Sequence, residues 1–119
     1  MVEASQQTIV IIDGPTILAG ESLSDAVDCT SGVLVRVTMP ADWTPANMTF
    51  QFSTDGTGFN DMFNQFGKEV TLPNCPPGCG IVLDAAWLPA VRFLKIRSGT
   101  RDFPVKQAAT RLFAVAVQT

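Results

Sequence analysis

Short runs of alternating apolar and polar residues recur along this chain, separated by Gly and Pro, which is the pattern of an all-β protein built from short strands. Residues 8–12 form the first run and Asp13-Gly14-Pro15 ends it. Residues 17–18 are a short extended piece before Gly20, and residues 23–27 alternate with less contrast. Residues 33–39 are more strongly patterned: Val33, Val35, Val37 and Met39 share one face, Leu34, Arg36 and Thr38 the other, and Pro40 stops the run. Residues 41–46 read as a helical turn or compact loop. Residues 48–53 place Met48, Phe50 and Phe52 inward and Thr49, Gln51 and Ser53 outward, followed by an Asp-Gly turn over 54–58.

The second half continues in the same way. Strands are predicted over 59–63 and 68–72, a Pro/Gly-rich loop over 73–80, a strand over 80–84, and a Trp/Pro corner at Trp87. Residues 91–98 carry apolar side chains on both faces, which predicts a central strand. Residues 99–110 are irregular, and residues 111–117 close the chain with Leu112, Ala114 and Ala116 opposite Phe113, Val115 and Val117. No apolar repeat at helical spacing persists over ten residues or more. The expected fold is an antiparallel β-sandwich, jelly-roll-like, of about eight short strands, forming one domain over 9–119 behind a flexible N-terminal arm over 1–8.

Composition narrows the chemistry. The 119 residues include no His and only 16% charged side chains. Without His there is no Ser-His-Asp or Cys-His relay and no His-containing metal site, so the chain is read as a non-enzyme with no cofactor and no metal. A net charge of -3 argues against a nucleic-acid partner. That charge is unevenly placed: residues 1–90 hold two basic and ten acidic residues, a balance of -8, and residues 91–119 hold six basic and one acidic, a balance of +5. Either the basic segment docks on an acidic partner or neighbouring subunit, or it neutralises acidic strands of its own chain. Arg92, Arg97, Arg101 and Arg111 are the partner-interface candidates.

Other candidate sites carry competing readings. Cys75 and Cys79 bracket Pro76-Pro77-Gly78, and both free thiols and a disulfide across that turn stay open. A three-Cys zinc site would need Cys29 and a carboxylate as well. Asp55 and Asp61 invite a calcium loop or a pair of hydrolytic carboxylates, but no EF-hand spacing supports the first and nothing raises a pKa for the second. Phe93, Phe103 and Phe113 interleave with the basic residues, a stacking pattern for single strands, yet their strand parity is that of a core. Trp43 and Trp87 each precede an aromatic strand; they are read as core plugs, with surface aromatics for a sugar ligand as the alternative. No signal-like start or membrane-spanning run is present, so synthesis in the cytosol and no membrane partner are expected.

Two resemblances attach to these residues. Phe50-Gln51-Phe52-Ser53-Thr54-Asp55-Gly56 with Val91-Arg92-Phe93-Leu94-Lys95-Ile96-Arg97 is locally similar to discoidin-like jelly rolls, which bind sugars or lipid headgroups. Met39-Pro40-Ala41-Asp42-Trp43-Thr44-Pro45-Ala46, the 49–56 segment, Leu94-Lys95-Ile96-Arg97-Ser98-Gly99-Thr100 and Pro104-Val105-Lys106-Gln107-Ala108-Ala109 together resemble small jelly-roll structural proteins of tailed bacteriophage heads, over most of residues 20–117. This second likeness implies a virion protein that decorates or cements the capsid. Its partners would be the major capsid protein and further copies of itself, in a homotrimer or other symmetric oligomer. The alternative is a carbohydrate- or surface-binding module of head-fibre or adhesin type.

Overall fold

A computed structural model describes residues 8–84 and 88–119. Eight strands run β1 (Ile9–Ile17), β2 (Val27–Asp28), β3 (Val33–Thr38), β4 (Met48–Ser53), β5 (Asn60–Asp61), β6 (Gly80–Val82), β7 (Phe93–Ser98) and β8 (Arg111–Gln118). They form two four-stranded sheets, ordered β1-β8-β3-β6 and β2-β7-β4-β5. Among the described residues every ladder is antiparallel, and β1 pairs β8, β2 pairs β7, β3 pairs β6 and β4 pairs β5. The chain is thus one long hairpin rolled on itself, which makes the sandwich a jelly roll. Among the described residues, helical structure is confined to a 3₁₀ turn at Leu88–Ala90, and no helix is long and apolar enough to cross a membrane.

Alternation places the core as the pattern requires. Phe50, Leu94 and Ile96 from one sheet meet Leu34, Val37, Val115 and Val117 from the other, all buried to within 1%. β7 lies between β2 and β4, the central position expected from its two apolar faces. Two strands depart from simple alternation. β1 does not end at Asp13 but continues through a cis Gly14-Pro15 bond, with a register shift between Asp13 and Thr16. β3 has a bulge between Leu34 and Arg36, so Leu34 and Val37 both point inward while Val33 is exposed. The extra residue of a bulge inverts the parity expected from the sequence.

Successive connections alternate between the two ends of the roll. The loops over 18–26, 39–47, 62–79 and 99–110 share one end. Gly20 and Glu21 are hydrogen-bonded to the Gln107 backbone, Gly99 N–H donates to Asn47 O, and Asn74 N–H donates to Asn47 Oδ1. At the opposite end Gly32 lies where a Cβ would meet Gln118 O at 2.4 Å, so only glycine admits this approach to the C-terminal strand. Thr8, assigned to the arm, is tied to Thr119 through backbone and hydroxyl bonds.

Candidate functional site

Two residues of the basic segment, Arg97 and Arg111, are spent inside the fold. Thr49, Gln51 and Asp61 face outward beside Arg97 and Lys95 on the β5-β4-β7 surface. Arg97 is 7% exposed and forms ion pairs with Asp61 and, at 3.1 Å, with Glu69. Arg101 Nε meets the second Asp61 oxygen at 3.1 Å, and its backbone N–H donates to both Glu69 oxygens at 3.1 Å. Gln51 Nε2 donates to Asp61 at 3.1 Å. Burial opposes ionisation of Asp61, but hydrogen bonds from Arg97 and Gln51 and the charges of Arg97 and Arg101 outweigh it, leaving the carboxyl below its ordinary value. This is the neutralisation of acidic strands by the chain's own basic segment.

Arg111, 8% exposed, is committed as well. Its Nε donates to Gln107 Oε1 at 2.9 Å and its Nη2 to Thr44 Oγ1 at 3.2 Å. Arg97 and Arg111 are therefore internal supports, and of the four arginines proposed for a partner interface only Arg92 and Arg101 are exposed. Asp28 beside Arg92 has a lowered pKa, caused first by the Thr30 hydroxyl and N–H that donate to it and only weakly by the Arg92 charge.

Trp43 is not a surface aromatic. It is 8% exposed, packs edge-on against Phe113 with centroids 5.6 Å apart, and donates its indole N–H to Ala46 O at 3.3 Å. One side of it borders a cleft of ≈ 260 Å³ with Pro45, Cys75, Pro76 and Pro77, but its faces are not free to stack on a sugar. Trp87 lies outside the described residues.

The exposed aromatics lie elsewhere. Phe66 and Phe103 are 78% and 79% exposed, each at the tip of a constrained turn. Around Phe66, the Asn64 carboxamide oxygen accepts from Phe66 N–H and Lys68 N–H at 2.9 and 3.1 Å. Around Phe103, Thr100 and Phe103 exchange backbone bonds at 3.1 and 3.2 Å. Gly99, at φ +88, seats that turn where a Cβ would strike Phe103 O at 2.5 Å. Arg101 ties the two loops together through Glu69 and Asp61, and its guanidinium lies 6.0 Å from the centroid of half-exposed Phe63. Strand parity assigned Phe103 to the core. It fails because residues 99–110 form no strand, and only Phe113 of the three interleaved phenylalanines is core. Phe93 lies on the outer face under the 53–58 turn, so the three offer no common stacking platform.

The carboxylate and thiol candidates have local roles. Asp55 Oδ1 accepts from Thr57 N–H, Gly58 N–H and Ser53 Oγ at 2.9–3.0 Å, which drives its carboxyl well below the usual range, the Gly58 and Thr57 amides first. Asp61 belongs to the ion-pair network, and its lowered pKa is the reverse of what a hydrolytic acid needs. Among the described residues no group of three His, Cys, Asp or Glu is placed to hold a metal.

All three cysteines are free thiols, so the Cys75–Cys79 bridge is not formed. Burial, with a smaller contribution from Asp28, pushes the Cys29 thiol up to about 11, and burial raises Cys75 also. Cys79 is exposed. Iodoacetamide is expected to modify Cys79 alone in the folded protein and all three thiols in denaturant, read by mass spectrometry. Modification of Cys29 under native conditions would contradict this packing.

The chain matches no family model, no curated protein and no solved structure. The fold is a jelly-roll domain in which, among the described residues, no buried side-chain nitrogen or oxygen lacks a hydrogen-bond partner.

Proposed function

We propose that this chain is a structural protein of a tailed-phage head that decorates or cements the capsid, binding the major capsid protein as a symmetric oligomer. The observation that carries this reading is the pair of aromatic tips, Phe66 and Phe103, held outward on two loops that Arg101 joins into one unit. Rigid exposed aromatics lose little conformational entropy on docking and supply the anchors that dominate many protein interfaces. The jelly roll suits repeated placement on a shell, and this reading extends the resemblance drawn from residues 20–117 of the sequence. Capsid attachment would then use the end of the roll formed by the 62–79 and 99–110 loops.

The test is co-sedimentation of the purified protein with expanded heads lacking it. Saturable binding is expected, weakened at least about 100-fold in a Phe66→Ser/Phe103→Ser variant, the scale of two hot-spot losses. Both side chains are largely exposed, so the melting temperature should stay within about 2 °C of the parent, as surface substitutions cost little. Undiminished binding by that variant would overturn the assignment of these tips.

A further inference from the structure

Five of the large apolar side chains with high exposure, Ile9, Ile11, Val33, Val82 and Leu112, lie on one surface, the outer face of the β1-β8-β3-β6 sheet. Directly paired residues share a face, so the ladders define its rows. Ile9 lies beside Gln118 and Val33; Ile11 beside Ala116, Arg36 and Val82; Asp13 beside Ala114, Thr38 and Gly80; and Thr16 beside Leu112. Between the larger apolar groups lie Ala114, half-buried, and Ala116, already buried at 1% exposure. Four strands ~4.8 Å apart and about six residues long present roughly 400 Å² in plan. That area includes the polar Thr16, Thr38 and Gln118, and stacking two such faces covers about 800 Å², the scale of a weak, reversible contact.

The paired rows of this face carry one anion, Asp13 on edge strand β1, and one cation, Arg36 on β3. Neither Asp13 nor Arg36 has an ion-pair partner among the described residues. Arg36 leans toward Gly80, its Cδ 3.6 Å from where a Cβ would stand, on the side away from Asp13. Between the strands bearing the two charges runs β8, with its two alanines.

We infer that this face docks on the same face of a second copy, about a two-fold axis passing over Ala114 and Ala116. The charge arrangement points to that occupant: a rotation that exchanges the Asp13 and Arg36 positions sets each against its opposite in the other copy, forming two ion pairs in one isologous contact. Exposed Ile11 and Val82 become covered in such a contact. Such a contact yields pairs, in place of the homotrimer suggested by the resemblance. It does not depend on head binding, because it forms or fails with the purified protein alone.

Sedimentation equilibrium with a charge-swap cycle tests it. The parent chain is expected to dimerise. Arg36→Glu and Asp13→Lys are each expected to weaken the dimer at least about 10-fold by opposing like charges, and the Arg36→Glu/Asp13→Lys double variant to restore it. Val82→Lys, at a side chain 79% exposed, should weaken it without touching the fold. Circular dichroism confirms that each variant is folded. A monomeric parent, single variants as dimeric as the parent, or a double variant no better than the singles would each overturn the proposal.

Discussion

Arg97→Met is expected to lower stability by about 3 kcal/mol, because it leaves two carboxylates without the cation that compensates their burial. Side-chain exposures are 8% for Arg97, 24% for Asp61 and 14% for Glu69. The loss falls at the lower end of the range for broken buried pairs because Arg101 still reaches Asp61 through Nε and Glu69 through its backbone N–H. In a domain of this size the melting temperature should fall by roughly 10 °C. Adding Asp61→Asn and Glu69→Gln to Arg97→Met should recover part of that loss, since neutral groups carry no unpaired charge. If the triple variant is no more stable than the single one, packing rather than charge accounts for the effect.

The same network sets a pH dependence. Asp61 has a folded pKa below its ordinary 3.8, so it binds fewer protons in the folded than in the unfolded chain. Its contribution is fully present above about pH 4 and is lost as pH falls through the folded value. In Arg97→Met the acid-induced decline attributable to Asp61 should therefore be shallower than in the parent.

Gln107→Leu should cost a similar amount, about 3 kcal/mol, by a different route. Gln107 is 1% exposed. Its Oε1 accepts from Thr44 N–H and Arg111 Nε at 2.9 Å, and its Nε2 donates to Thr44 O at 3.0 Å and Ser98 Oγ at 2.7 Å. A leucine of similar volume fills the space but satisfies none of these groups, and each buried polar atom left unpaired costs about 1–3 kcal/mol. Thr44 is only half-buried and recovers part of this from water. Because the Gln107 backbone also holds Gly20 and Glu21, the side-chain loss should loosen three loops together. Hydrogen exchange at the Gly20 and Thr44 amides is expected to accelerate more than exchange in β4 and β7. Uniform acceleration would mean that Gln107 supports the whole sandwich and not this end of it.

What could be read in the sequence followed from how locally each feature is encoded. β4 and β8 were legible because one face of each strand meets the core, so period-two alternation survives in the residues, and β7 because apolar residues stand on both faces of its segment. β3 was legible as a strand but not in its facing, because the bulge between Leu34 and Arg36 leaves no composition signal. β1 was cut short at Gly14-Pro15, where an edge strand tolerates a proline that a central one would not.

The candidate site was harder to see. Arg97, Asp61 and Glu69 are brought together from three places in the chain, and nothing near Arg97 distinguishes it from exposed Arg92. The aromatic tips carried a signal that was available: Phe66 stands before Gly67, and Phe103 lies in a Gly99 to Pro104 loop, both turn settings in which strand parity has no meaning. The outer-face row Ile11-Ala116-Arg36-Val82 needs the register of four strands, which only the assembled sheet supplies.

Attachment of this jelly roll to a capsid through its 62–79 and 99–110 loops can be seen directly. Cryo-electron microscopy of expanded heads with and without the protein is expected to show difference density at regular lattice positions, with Phe66 and Phe103 at the contact with the major capsid protein. Heads whose surfaces show no ordered added density at saturating protein, or density attached through the opposite end of the roll, would contradict it.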